Sequence, residues 1–324
     1  MKPVALPTSL ICCLFTAVPL CAMESPARLI ELWNGAAEEI WSYDVTVHVV
    51  VRAFAETKSD LTVVGDHLLR QQYLRGSWRV DQLKTDQRSI GHDPRIVNVP
   101  EGATVAFARD FSTQHARYFS SPDKFGQIYS LSGFNRTKLL APQLYEHFRG
   151  DFCGQSFRDM LQPKLKGATV SSRDGLICLL IPPTEDASLL IKDANDWIEV
   201  TLDPSKNYLP TRIRKSKDLK SDDLLTDVEN HWVQNDGGLW VLQKTTKTVY
   251  SKEITKGVKV PAAVTTLEID TNKGKFNIDI APAVFSLPFP TGTVVWDDDQ
   301  HKNYVQPNGD DNRREAVPGA PRKS

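Results

Sequence analysis

A chain of 324 residues with 39 Lys and Arg against 40 Asp and Glu carries a formal net charge of −1. That balance, with the basic residues dispersed rather than striped, removes the electrostatic case for a nucleic-acid partner. Twenty prolines, 18 glycines and 9% aromatic residues suit many short strands joined by turns.

The chain opens on Met1-Lys2 and then runs uncharged from Val4 to Ala22, the pattern of a secretory signal peptide. Residues 1–22 are expected to be cleaved, placing the remainder in the periplasm or outside the cell. The apolar core of that leader, Leu10 to Val18, is too short to span a bilayer, and no later stretch stays apolar for the ~20 residues a membrane helix needs. Lipid anchoring at Cys21 is disfavoured, because Val18-Pro19-Leu20 before it is a poor lipobox. With Cys12, Cys13 and Cys21 gone, only Cys153 and Cys178 remain. In an oxidising compartment that pair suggests one disulfide; two buried thiols on separate elements is the alternative.

From Pro26 to Trp41, Leu29, Leu32, Trp33, Ala36, Ile40 and Trp41 recur at three and four residues, so the spacing predicts an amphipathic helix. Then Tyr43, Val45, Val47, Val49 and Val51 alternate with Asp44, Thr46, His48, Val50 and Arg52, a period of two that predicts a strand with one buried face. Strand pairs follow at Asp66 to Arg75 with Trp78 to Lys84, and at Thr104 to Phe111 with His115 to Ser121. The strongest pair is Leu225 to Gln234 with Leu239 to Tyr250, joined by Asn235-Asp236-Gly237-Gly238, residues that tolerate the positive φ of a tight hairpin. Short links of this kind imply antiparallel neighbours.

Between these pairs, Leu139 to Phe148 and Gln155 to Leu161 read as helices. Leu176 to Ile181 is apolar on both faces, as a strand between a sheet and a covering helix would be. Trp197 to Leu202, Leu209 to Lys215, Val264 to Asp270, Phe276 to Ile280 and Thr293 to Trp296 continue the strands. No linker interrupts the chain, so residues 23–305 are expected to form one β-rich domain, followed by a disordered polar tail over 306–324.

The sequence holds no nucleophile elbow, zinc-protease motif, phosphate-binding loop or, after the leader, Cys-x-x-Cys pair. No catalytic residue, metal ligand or cofactor is therefore assigned, and the chain reads as a non-enzyme. Asp297-Asp298-Asp299-Gln300-His301 lacks the spacing of a known calcium loop and reads as a solvated turn. His48 and His231 fall inside strands and read as sheet residues.

What points towards function is the apolar load on the strands: Trp78, Phe107, Tyr118, Trp197, Trp232, Trp240 and Tyr250 among many Val, Leu and Ile. A strongly curved sheet lined in this way makes an apolar cavity suited to an acyl chain. Period-two alternation puts Val45, Val47 and Val49 on one face. Curvature would bring them to a shared concave side with Trp232, Trp240 and Leu242, the expected ligand-binding border. The plain alternative is that all six are core.

Two segments carry a family resemblance. One is Leu202-Asp203-Pro204 with Tyr208-Leu209-Pro210-Thr211-Arg212-Ile213; the other runs from Phe285-Ser286-Leu287-Pro288-Phe289-Pro290 through Val294-Val295-Trp296-Asp297, with Tyr304. Together with the order of elements they resemble the LolA-like family of periplasmic lipoprotein carriers, as it recurs in exported planctomycete-type proteins. The resemblance implies an α+β, mainly antiparallel β fold: a strongly curved sheet or incomplete β-barrel closed by helices. It also implies a non-catalytic partner for a hydrophobic ligand or lipoprotein acyl chain. A structural or interaction protein with a filled barrel and an unrecognised secreted hydrolase stand as the alternatives; oligomeric state is not legible.

Overall fold

The computed structural model describes residues 24–54, 61–87, 104–110, 115–130, 165–183, 196–218, 224–255, 258–307 and 315–316. The expected leader, the helices expected over 139–148 and 155–161, and Cys153 lie outside the described residues.

Helix α1 spans Pro26–Glu38. Pro26 has no N–H to waste in the first turn, and Ser25 Oγ accepts the Arg28 N–H at 3.2 Å. The helix stops short of the expected Trp41, whose N–H donates to Asn277 Oδ1 at 3.0 Å rather than to a carbonyl of the helix.

The strands are β1 (Ser42–Phe54), β2 (Leu61–Leu74), β3 (Ser77–Gln87), β4 (Val105–Asp110), β5 (His115–Ser120), β6 (Phe125–Ser130), β7 (Thr169–Arg173), β8 (Leu176–Ile181), β9 (Trp197–Asp203), β10 (Leu209–Ser216), β11 (Leu224–Gln234), β12 (Trp240–Thr255), β13 (Val258–Ile269), β14 (Lys275–Phe276), β15 (Val294–Asp297), β16 (Lys302–Val305) and β17 (Glu315–Ala316). They form one sheet. Its β7-to-β13 wing runs in sequence order and meets β1, which continues into β2, β3, β4, β5 and β6; β15, β16 and β17 are added beyond β6. Short β14 pairs with the start of β1 beside β13.

Among the described residues every pairing is antiparallel except β6 with β15. Among the described residues β7 and β17, at the two ends, do not pair with each other, so the sheet is unclosed. It is also curved. Register shifts at Val51/Arg52, Leu68/Leu69, Lys215/Ser216 and His231/Trp232 are the local cause, since an extra residue on one strand bends it and increases its twist.

Four strands were not expected: β6, β7, β16 and β17. Conversely, the strand expected over Phe276 to Ile280 ends at Phe276. Asn277 turns away at φ 53°, held there by Trp41 N–H on its Oδ1 and by its own Nδ2 donating to the Glu39 carbonyl at 2.8 Å. In the stretch expected to be an unstructured tail, Glu315–Ala316 pairs with Tyr304 and Val305.

Candidate functional site: the inner face of the sheet

Alternation gives the sheet two chemically different faces. On β1, Tyr43, Val45, Val47 and Val49 are buried, and their register partners on β2 are Tyr73, Gln71, Leu69 and His67, buried as well. The intervening residues face outward and include ion pairs. Asp44 accepts from Arg70 Nε at 2.9 Å, His48 meets Asp66 at 2.7 Å, and Lys244 on β12 meets Glu268 on β13 at 2.7 Å. The Arg70 hydrogen bonds, against the opposing effect of partial burial, hold the Asp44 carboxyl below its usual value.

The inner face continues through the ladders. Leu267 and Ile269 lie opposite Val49 and Val47; Trp232 lies opposite Leu242; Leu179, Val200 and Ile213 form a row across β8, β9 and β10. One apolar cluster takes in these residues together with Leu29, Ile30, Trp33, Ala36 and Ile40 of α1. The helix therefore lies over the inner face, where its packing is closest to β10.

All six residues expected at the ligand border belong to this cluster or pack against it. Val47 and Leu242 are wholly buried, Val45, Val49 and Trp232 nearly so, and Trp240 is half-buried. The Trp232 indole N–H donates to the Pro210 carbonyl at 2.8 Å, which fixes its ring. Trp240 sits at the rim, with the Lys206 ammonium 5.9 Å from its ring centre.

At the β3–β6 wing the inner face is aromatic. Register places Phe276, Tyr43, Tyr73, Trp78, Arg109, Ala116 and Tyr129 in one row across the strands. The Tyr43 and Tyr73 rings stack at 5.3 Å and the Trp78 and Phe107 rings at 5.2 Å. Small, buried Ala116 lets Phe107 and Tyr129 come within 6.0 Å above it. Burial pushes the Tyr129 hydroxyl pKa far up, with Asp298 and Tyr118 adding to the effect; burial raises Tyr118 as well. Both remain neutral phenols at any physiological pH.

The inner-face polar residues include a satisfied network. Asn230 Nδ2 donates to the Pro210 carbonyl at 3.0 Å, and Asn230 Oδ1 accepts from Thr245 Oγ1 at 2.9 Å.

The outer face of the β3–β6 wing is covered by the Pro-rich segment after β14. Arg79 Nη1 holds the Val284 carbonyl at 3.2 Å, and Leu287 and Phe289 pack on Ala106, Ala108 and Phe119. The segment then feeds β15 into its parallel pairing with β6. In the turn that follows, Asp297 is buried and its Oδ1 accepts the N–H groups of Asp299 and Gln300, each at 3.1 Å. The acidic run is thus an anchored turn rather than a freely solvated one. Among the described residues no group of three or more His, Cys, Asp and Glu is placed to hold a metal.

Cys178 is half-buried on the outer side of β8, bonded to no cysteine among the described residues, and burial and nearby Glu199 push its thiol pKa up. Its expected partner Cys153 is outside the described residues. Sequence reasoning missed the contribution of β8 and β9 to the inner face, though the alternation of Ile198, Val200 and Leu202 carried that signal. It also missed Asn34, the polar residue on the buried stripe of α1.

No family model and no curated protein matches the chain. Among solved structures it is similar to a LolA superfamily protein from Nitrosomonas europaea, at 14% identity over 81% of this chain and 97% of that one, with a TM-score of 0.44. It is similar to a DUF1329 family protein from Desulfovibrio piger, at 12% identity over 81% and 98%, TM-score 0.37. It is also similar to the Mycobacterium tuberculosis lipoprotein LppX, at 10% identity over 79% and 97%, TM-score 0.25. None of these likenesses transfers a function to this chain.

Proposed function

We propose that the chain is an exported, non-catalytic binding protein that shelters a hydrophobic, acyl-bearing ligand, such as the acyl chain of a lipoprotein, against the inner face of its unclosed sheet. The observation that carries this reading is the two-faced construction of the sheet. From β8 through β13, β1 and β2 to β4, most inward residues are apolar or aromatic, with Gln71, His67, Asn230 and Thr245 as buried polar members, while among the described residues a single 13-residue helix lies over them. The opposite side of β1, β2, β12 and β13 is laced with ion pairs.

Binding is driven by desolvation. Each methylene moved from water into such an environment contributes ~0.8 kcal/mol before ordering costs are subtracted. Displacement of α1 from the inner face is the movement that would admit or release a chain. The test is native mass spectrometry of the protein purified from its own compartment. Co-purifying acylated lipid is the expected result; ligand-free protein that also shows no saturable binding of fatty acids would reject the reading in favour of a filled, structural sheet.

A further inference from the structure

Two amide side chains, buried Asn230 and exposed Asn277, show how a side-chain amide is normally satisfied in this fold. Asn230 uses both ends of its side chain, to Pro210 and from Thr245. Asn277 likewise accepts from Trp41 N–H and donates to the Glu39 carbonyl. Asn34 differs: the residue is only 9% exposed, and its Nδ2 is buried with no hydrogen-bond partner among the described residues.

Asn34 lies on the buried stripe of α1, one turn after Ile30 and one turn before Ala37, beside wholly buried Trp33. This is the side of the helix that joins the inner-face cluster. Nothing local requires an asparagine there. It is a poorer helix former than Leu or Ala, and an amide donor kept from water without an acceptor is a standing cost that an apolar residue would avoid. A donor held at that cost between helix and sheet suits a ligand that brings its own acceptor.

We propose that the Asn34 side-chain amide donates a hydrogen bond to the carbonyl oxygen of an acyl group, so that the site selects acyl esters over plain hydrocarbon of equal length. The inference rests on the reading that the inner face takes a hydrophobic ligand. It adds a polar contact to that reading: the chain's methylenes lie against the Val and Leu rows, and its carbonyl sits beneath α1 at Asn34. A carbonyl accepts from an amide N–H without carrying charge into the apolar face, whereas a carboxylate would have to be desolvated as an ion.

Intrinsic Trp fluorescence titrated with methyl palmitate and with heptadecane, both delivered on cyclodextrin, tests the proposal. The wild type is expected to bind the ester about fivefold to tenfold more tightly than the alkane, the discrimination that one hydrogen bond supplies. Asn34→Leu should abolish that preference while keeping alkane binding and an equal or higher Tm; Asn34→Ala serves as a second variant where Leu overfills the helix contact. A preference that survives both substitutions, or a wild type that binds ester and alkane equally, overturns the inference alone. A marked fall in Tm for both variants, with unchanged selectivity, shows that Asn34 has a structural partner and overturns it too. If the wild type binds neither probe, the binding function and the inference fall together.

Discussion

Phe289 occupies the place where a β-carbon on Gly126 would have to be, its Cε1 2.7 Å and its Cδ1 2.8 Å from that position. The contact presses the Pro-rich segment onto the outside of β6, and the Arg117 guanidinium lies 5.8 Å from the centre of the same ring. Gly126→Val should therefore push the ring off the sheet and cost about 1–3 kcal/mol, as overpacking does. Phe289→Ala should suppress most of the Gly126→Val effect, because the clash is then gone. Urea denaturation of the two single variants and the double variant measures this; additive losses would show that Gly126 is needed for another reason.

Val47 tests whether the inner face is a site or a filled core. It is wholly buried between Leu69 and Ile269. Under the binding reading, Val47→Trp fills ligand space: fatty-acid affinity measured by fluorescence should drop more than about tenfold, with a stability loss near 1 kcal/mol. A variant that does not fold would identify Val47 as ordinary core.

The Asp44–Arg70 pair predicts a pH dependence of known sign. Arg70 holds the Asp44 carboxyl below the ordinary 3.8, so the unfolded chain takes up the proton first as acid is added. A depressed folded-state pKa means that the stabilisation is fully present above about pH 4 and is lost as pH falls through the folded-state value. Arg70→Gln should then cost a few tenths of a kcal/mol near neutrality, typical of a solvent-screened pair, and progressively less below pH 4. Thermal melts of both proteins across that range check the convergence; a constant gap down to pH 2 would contradict it.

Asn235 closes the β11–β12 hairpin, its Oδ1 accepting the N–H groups of Gly237 and Leu239, each at 3.0 Å. Asn235→Ala should lower stability by about 1 kcal/mol. The loss should appear as faster amide exchange at Val233 and Val241, which face each other across the hairpin.

That hairpin was readable because its signal is local. Asn235, Gly237 and Gly238 answer to backbone geometry within four residues, with Gly238 at φ 75°. The alternation of Val45, Val47 and Val49 is equally local. The β6–β15 pairing was not readable, since Phe125 meets Val294 across a separation at which only tertiary packing selects partners, and parallel pairing leaves no turn to betray it. Helix α1 shows the same limit at the level of one residue. Its periodicity was plain, but Leu32 on the expected apolar stripe is half-buried while Asn34 is inside, and hydropathy does not register a polar residue kept in the interior.

β1 also sets the order in which the molecule can assemble. The β2–β6 wing and the β7–β13 wing can each form strand by strand from neighbours in sequence, but they become one sheet only when β1, near the start of the chain, finds β13. Val47 and Ile269 are about 220 positions apart, and closing a loop of that size costs ~5 kcal/mol of chain entropy before any contact repays it. Such long-range closure slows folding. The joined sheet should therefore be the last and slowest event in refolding, with an open half-sheet on either side until it occurs.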